Sequence, residues 1–151
     1  MVWADKAVGG YTVRRSVLLA GLVLVAFLPR LAAQEDLDQA VERAREAFFA
    51  HEVGALLATS DTVRLNIPGT AKSASMKPGQ ASRILEKYLH SAQERDLTLI
   101  RLRSLAEDHA YAELDRSYVV RGTSEERRER VMLGFRRVDG TWRLREVRVT
   151  Q

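Results

Sequence analysis

The chain has 151 residues, 24 Lys plus Arg against 20 Asp plus Glu for a formal charge of +4, and no cysteine. That length accommodates one ordinary domain with a single hydrophobic core. The lack of cysteine excludes disulfides, a lipid-modified cysteine, thiolate metal sites and thiol or redox catalysis.

Arg14 and Arg15 precede an uncharged run from Val17 to Leu28, which Pro29 and Arg30 close and Leu31-Ala32-Ala33-Gln34 follows. A basic flank, a short apolar stretch and small residues before a charged chain form the three-part layout of a secretory signal peptide. As a helix the run would measure about 18 Å, against a hydrocarbon core of roughly 30 Å, which is short for a span. Residues 1–33 are therefore read as a signal peptide cut after Ala33. The alternative is an uncleaved anchor, the only way this chain would touch a membrane. Leu31 stands where a small residue is favoured, and the long region ahead of Arg14 fits a translation start near Val13. The residues around the arginine pair suit twin-arginine export poorly, so general secretion is the expected route. The expected location is periplasmic or secreted, or inner-membrane anchored if the leader stays.

From Gln34 onward 20 Lys plus Arg face 19 Asp plus Glu, interspersed along the chain. A nucleic-acid binder would concentrate basic residues on one face, so nucleic acid is not an expected partner. The spacing of Leu37, Val41, Ala44 and Phe48 predicts a helix over 37–52, with Gly54 interrupting it and residues 55–58 adding a turn. Val63-Arg64-Leu65-Asn66-Ile67 alternates as a short half-buried strand stopped by Pro68-Gly69, and residues 70–77 read as a loop. A second helix starts at Pro78, where a missing N–H costs nothing, and buries Ala81, Ile84, Leu85, Tyr88 and Leu89. Four strands follow, over 97–105, 109–121, 129–137 and 142–150. Asp139-Gly140 is the strongest hairpin signal. On the last strand Trp142 and Leu144 are out of phase with Val147 and Val149, which predicts a β-bulge near Arg145-Glu146. Helices followed by a meander of antiparallel strands make an α+β domain over 34–151, with helices on one face of a curved antiparallel sheet.

The short strand ending Ile67-Pro68-Gly69, the helix carrying Gln80-Ala81, Ile84-Leu85 and Tyr88-Leu89, and the terminal run Trp142 to Val149 resemble the nuclear-transport-factor-2-like superfamily. Within it the chain is similar to a bacterial exported family of unknown function. Lys77 departs from the pattern, which has a serine-like capping residue there. The resemblance covers residues 37–149 and implies a cone-shaped, cystatin-like half-barrel (SnoaL-like proteins share it) whose mouth holds a small ligand, with frequent dimerisation through the sheet. It also implies a superfamily in which isomerases, dehydratases and epoxide hydrolases stand beside many proteins without activity. None of the enzymes' catalytic constellations maps onto this chain.

Arg116 interrupts the apolar row Ala110, Ala112, Leu114, Tyr118, Val120. A guanidinium aimed into the cone needs a carboxylate, a ligand anion or a water, whereas a twist in the strand would let it reach solvent along its stem. Asp61 is one candidate partner. Arg116, Tyr118, Tyr88 and Trp142 are the expected ligand-binding residues, with core packing as the competing role for the three aromatics. Glu113 and Asp115 point to the opposite sheet face, and Glu125–Arg130 reads as a solvated mixed-charge turn. His51, His90 and His109 lack metal-ligand spacing, with His51 and His90 placed near helix C-termini. No glycine-rich phosphate loop or serine-nucleophile motif is present, and no metal, cofactor or catalytic residue is expected. These features lead to an exported, non-enzymatic domain that binds a small ligand or a protein partner through its cone or sheet face. A small lyase, isomerase or hydrolase using the cone, and a homodimeric structural module, are the alternatives.

Overall fold

A computed structural model of the chain describes the backbone from residue 28 onward, apart from residues 71–73, and side chains from residue 36. Most of the expected signal peptide, including the expected start near Val13, lies outside the described residues. The chain divides into two units, Met1–Gln34 and Glu35–Gln151, and the second carries the α+β fold.

Helix α1 (Leu28–Phe49) begins before the expected start, and α2 (Val53–Leu56) adds a single turn. The break between them falls at His51, not at Gly54. Glu52 N–H donates to the Ala47 carbonyl at 2.8 Å and His51 N–H to that of Phe48 at 3.1 Å, while His51 takes φ 60°. This pair of bonds is a Schellman C-cap, in which glycine normally fills the left-handed position. A histidine there hides the stop from any reading that looks for glycine. Strand β1 (Arg64–Asn66) and helix α3 (Pro78–His90) follow, the helix opening on Pro78 with no side-chain cap from Lys77.

Strands β2 (Ala92–Ala106), β3 (His109–Val120), β4 (Glu126–Val138) and β5 (Thr141–Thr150) form an antiparallel meander. The sheet order is β1-β5-β4-β3-β2, and β1 lies parallel to β5, so the sheet is antiparallel except at that edge. Asp139 (φ 50°) and Gly140 (φ 78°) both take left-handed backbone, as the tight β4–β5 hairpin requires. Arg145 is the extra residue of the expected bulge, because Gly134 pairs with Glu146 and Phe135 with Leu144. Three further irregularities in β2 bend that strand. Strands β2 and β4 begin earlier than the sequence suggests, at Ala92 and Glu126, and this difference builds the site described below.

The inward faces of α1 (Leu37, Val41, Ala44, Phe48) and α3 (Ala81, Leu85, Leu89) and one face of the sheet share a single buried cluster. Burial of each large aliphatic side chain contributes about 1.5–3 kcal/mol before ordering entropy is subtracted. No helix among the described residues is long and apolar enough to cross a membrane.

Candidate functional site

The largest fully buried side chain of the domain is an arginine. Arg116 is 0% exposed at its side chain, and the side chains of Glu94 and Glu129 are 4% and 3% exposed. Strict alternation along β3 turns Arg116 inward between Leu114 and Tyr118. Alternation along β4 does the same for Glu129, Val131, Leu133 and Phe135. Arg116 and Glu129 are direct cross-strand partners, and Glu94 on β2 stands opposite Tyr118.

The guanidinium donates Nε–H to Glu94 Oε2 at 2.9 Å and a second bond from Nη2 to Oε1 of the same carboxylate, a two-point fork. Its Nη1 donates to Glu129 Oε2 at 2.9 Å and to the Tyr88 hydroxyl at 2.7 Å. Tyr88 and Tyr118 both donate their hydroxyls to Glu129, the latter at 3.0 Å. The Arg116 Cζ also lies 4.1, 5.2 and 5.4 Å from the ring centres of Tyr118, Tyr88 and Phe48, a cage that suits a desolvated cation. His51 completes the network, its Nε2 lying 2.9 Å from Glu94 Oε1. The cap that places His51 in left-handed backbone therefore also delivers its ring to a buried carboxylate.

Burial works against the charge on Arg116, but the Glu94 hydrogen bond and the neighbouring charges outweigh it and hold the guanidinium above its ordinary range. Burial pushes the Tyr88 phenol far above its usual value near 10, with Arg116 opposing and Glu129 adding to the rise. Tyr118 moves the same way, through burial first and Glu129 second. Both phenols are thus fixed as donors, and four of the five Arg116 N–H groups find partners inside the network.

Several sequence expectations change here. The partners of Arg116 are Glu94 and Glu129, and it does not reach solvent. Asp61 is instead exposed and pairs with Arg143 at 2.7 Å and Arg145 at 3.5 Å. The run Glu125–Arg130 is not wholly solvated, since Glu129 is in the core. Tyr88, Arg116 and Tyr118, three of the four expected ligand-binding residues, come together, but Trp142 does not join them.

Trp142 occupies a different place. It lines a groove of about 590 Å³ with Phe135, Leu144 and six alanines contributed by or following α1 and α2. The indole is 6% exposed, and its Nε1–H, buried, has no acceptor among the described residues. The Arg137 Cζ lies 6.0 Å from its ring centre. Arg43, Glu46 and Glu52 supply the charged groups of the lining. Neither this groove nor the cavity on the outer sheet face is lined by Arg116, Glu94, Tyr88 or Tyr118. Among the described residues no group of three or more His, Asp or Glu is placed to hold a metal.

No family model and no curated protein matches this sequence. Solved structures do resemble it. A DUF4783 family protein from Bacteroides uniformis superposes with a TM-score of 0.62 at 15% identity, covering 73% of this chain and 94% of that one. A protein of unknown function, nuclear-transport-factor-2-like, from Pseudomonas putida gives 0.58 at 18% identity, covering 80% and 87%. A provisionally assigned dehydratase of the same fold from Streptomyces avermitilis gives 0.60 at 15% identity, covering 78% and 95%. At these identities the likeness concerns architecture, and the chain has the nuclear-transport-factor-2-like fold.

Proposed function

We propose that this is an exported, non-catalytic binding domain that takes a small, mostly apolar ligand in the groove between its first two helices and the β4–β5 hairpin. One observation carries the reading. Trp142 lines a cavity whose volume falls in the range of small-molecule sites, and its buried N–H has no acceptor among the described residues. A buried donor left unpaired costs about 1–3 kcal/mol, so a ligand carbonyl, ether or hydroxyl oxygen that accepts from it gains more than at an exposed donor. The alanine lining favours a flat or chain-like body that packs against helix surface. Export rests on the layout of residues 14–34, and the periplasm or the exterior is the compartment it implies.

Native mass spectrometry of protein purified from a cell envelope tests the reading. Wild type should retain a small molecule that Ala55→Trp, which fills the groove from an exposed position, does not. An empty wild type, or equal retention by both, counts against it.

A catalytic reading draws on the two tyrosines and on Glu94 and Glu129, carboxylates within hydrogen-bond reach of Arg116. Against it stands their burial: a substrate would have to displace a buried ion network before meeting either carboxylate.

A further inference from the structure

The face of the sheet away from the helices holds a second cavity, of about 400 Å³. Pairing registers align Tyr111, Gly134, Glu146 and Arg64 across β3, β4, β5 and β1. Gly134 lacks the positive φ that would explain a glycine. A Cβ there would approach the Glu146 Cβ to 3.1 Å, so packing at the bulge keeps this position bare and leaves a dip in the floor. Tyr111, Met132 and Leu105 provide apolar surface in the lining, and Leu105 is 69% exposed.

The charges around the dip are uneven. Arg64, Arg136 and Arg145 line it against one carboxylate, Glu146, which Arg148 already engages at 2.7 Å. Arg64 has no partner among the described residues. Arg136 reaches Asp108 only at 3.6 Å, and Asp108 is also bound to His109 at 2.7 Å. Arg145 donates Nη1 to Thr62 at 2.8 Å and lies 3.5 Å from Asp61, while its Nε, buried, has no acceptor among the described residues. A free guanidinium and a partly unsatisfied one beside an apolar wall make a surface with two chemical halves.

We propose that this cavity binds a small amphipathic anion, with its apolar body on Tyr111, Met132 and Leu105 and its oxyanion on Arg64 and Arg145. Carboxylate, sulfonate and phosphate oxygens match the planar donor fork of arginine, and such charge-assisted bonds are about twice as strong as neutral ones. This site is separate from the Trp142 groove and does not depend on it.

Two fluorescent probes of the same ring system test the proposal on the full chain: 8-anilinonaphthalene-1-sulfonate and its uncharged analogue N-phenyl-1-naphthylamine. Wild type should bind the sulfonate with 1:1 stoichiometry and at least about tenfold more tightly than the neutral probe. Arg64→Met, at an exposed position, should remove most of that difference and leave the melting temperature unchanged. Ala55→Trp, which fills the other groove, should leave sulfonate binding intact. Equal affinities for the two probes, indifference to Arg64→Met, absence of sulfonate binding, or its loss in Ala55→Trp would each overturn the proposal.

Discussion

Replacing Arg116 with methionine keeps much of the stem's volume and deletes the charge at the centre of the buried network. The variant loses the two-point fork to Glu94 and the bonds to Glu129 and Tyr88. Glu129 keeps two phenol donors, but Glu94 keeps only His51 among its observed partners. Stranding a buried charge in this way costs about 3–5 kcal/mol. Loss of the aromatic cage adds to that, at about 0.5–2 kcal/mol per cation–π contact. A domain of this size has roughly 5–15 kcal/mol of stability in total, so the variant should lose a large share of it. The stranded charge alone should lower its melting temperature by about 10–20 °C, taking about 3–4 °C per kcal/mol at this length, and the lost cage should lower it further. Urea titration with fixed m-value is the assay. A compensated variant separates stranded charge from lost packing. Glu94→Leu, Arg116→Met and Glu129→Leu combined with Tyr88→Phe and Tyr118→Phe removes every polar member but His51, and should recover most of the loss, since apolar replacement of a buried ion set is often neutral or stabilising. If Arg116→Met alone stays within about 1 kcal/mol of wild type, the structural role assigned to the network is wrong. Retained stability with lost ligand binding would make Arg116 a ligand anchor instead.

Three more perturbations follow from named contacts. His51→Gly relieves left-handed backbone, worth about 1 kcal/mol, but removes a hydrogen bond to a buried carboxylate, worth about 1.5–3 kcal/mol; a net loss near 1 kcal/mol is expected in urea melts, and a gain would show that the ring contributes nothing. Because the folded pKa of Tyr88 is raised above its unfolded value near 10, the native state holds a proton that the unfolded chain releases; stability should be complete below pH 10 and decline as pH rises beyond it. Tyr88→Phe should flatten that alkaline slope, and a slope unchanged between the two proteins would contradict the burial of the phenol. Trp142→Phe removes a donor with no observed acceptor, so in ligand-free protein it should cost less than about 1 kcal/mol, far below the 3–5 kcal/mol of a large aromatic truncation; a larger loss by thermal melt would reveal an acceptor for that N–H.

Much of the fold is legible because the apolar periods are clean. Leu37, Val41, Ala44 and Phe48 mark the inner face of α1, Asp139-Gly140 fixes a hairpin, and the phase change after Leu144 marks the bulge at Arg145. The site was half legible. Arg116 stands out on its row, but its partners were hidden by two different local effects. The irregularity at Arg95 breaks alternation in β2, so Ala92, Glu94 and Leu97 face inward and the alternation of the strand cannot be followed back from Leu97. Glu129 sits in a run of mixed charges whose solvated appearance is correct for Arg128 and Arg130 and wrong for the residue between them. A signal for Glu129 did exist. Pairing Val119 with Glu126 across the β3–β4 turn sets the register, and carrying that register back along β3 puts Glu129 opposite Arg116. His51 offered no comparable clue, because nothing local distinguishes a histidine that caps a helix from one that merely ends it.

The network also shapes what binding this fold can offer. A cone interior open to ligands needs donors and acceptors left unsatisfied by the protein, and here five side chains from α3, β2, β3, β4 and the α1 cap satisfy one another around a single guanidinium. Among the described residues, two buried donors without an acceptor lie elsewhere: the indole N–H of Trp142, on the helix side, and the Nε–H of Arg145, at the outer sheet face. Each belongs to a residue that lines a cavity of several hundred Å³, and both residues are on strand β5, Trp142 next to the hairpin turn and Arg145 at the bulge itself. Strand β5 carries both because its extra residue shifts the facing of the strand midway: Trp142 and Leu144 point inward, Arg145 outward, and Val147 and Val149 inward again. Deleting Arg145 would restore simple alternation with Trp142, Leu144, Val147 and Val149 all still facing inward, and would take one guanidinium from the outer face. The bulge therefore supplies the outer cavity with Arg145, while the Trp142 groove rests on the ordinary alternation of the same strand.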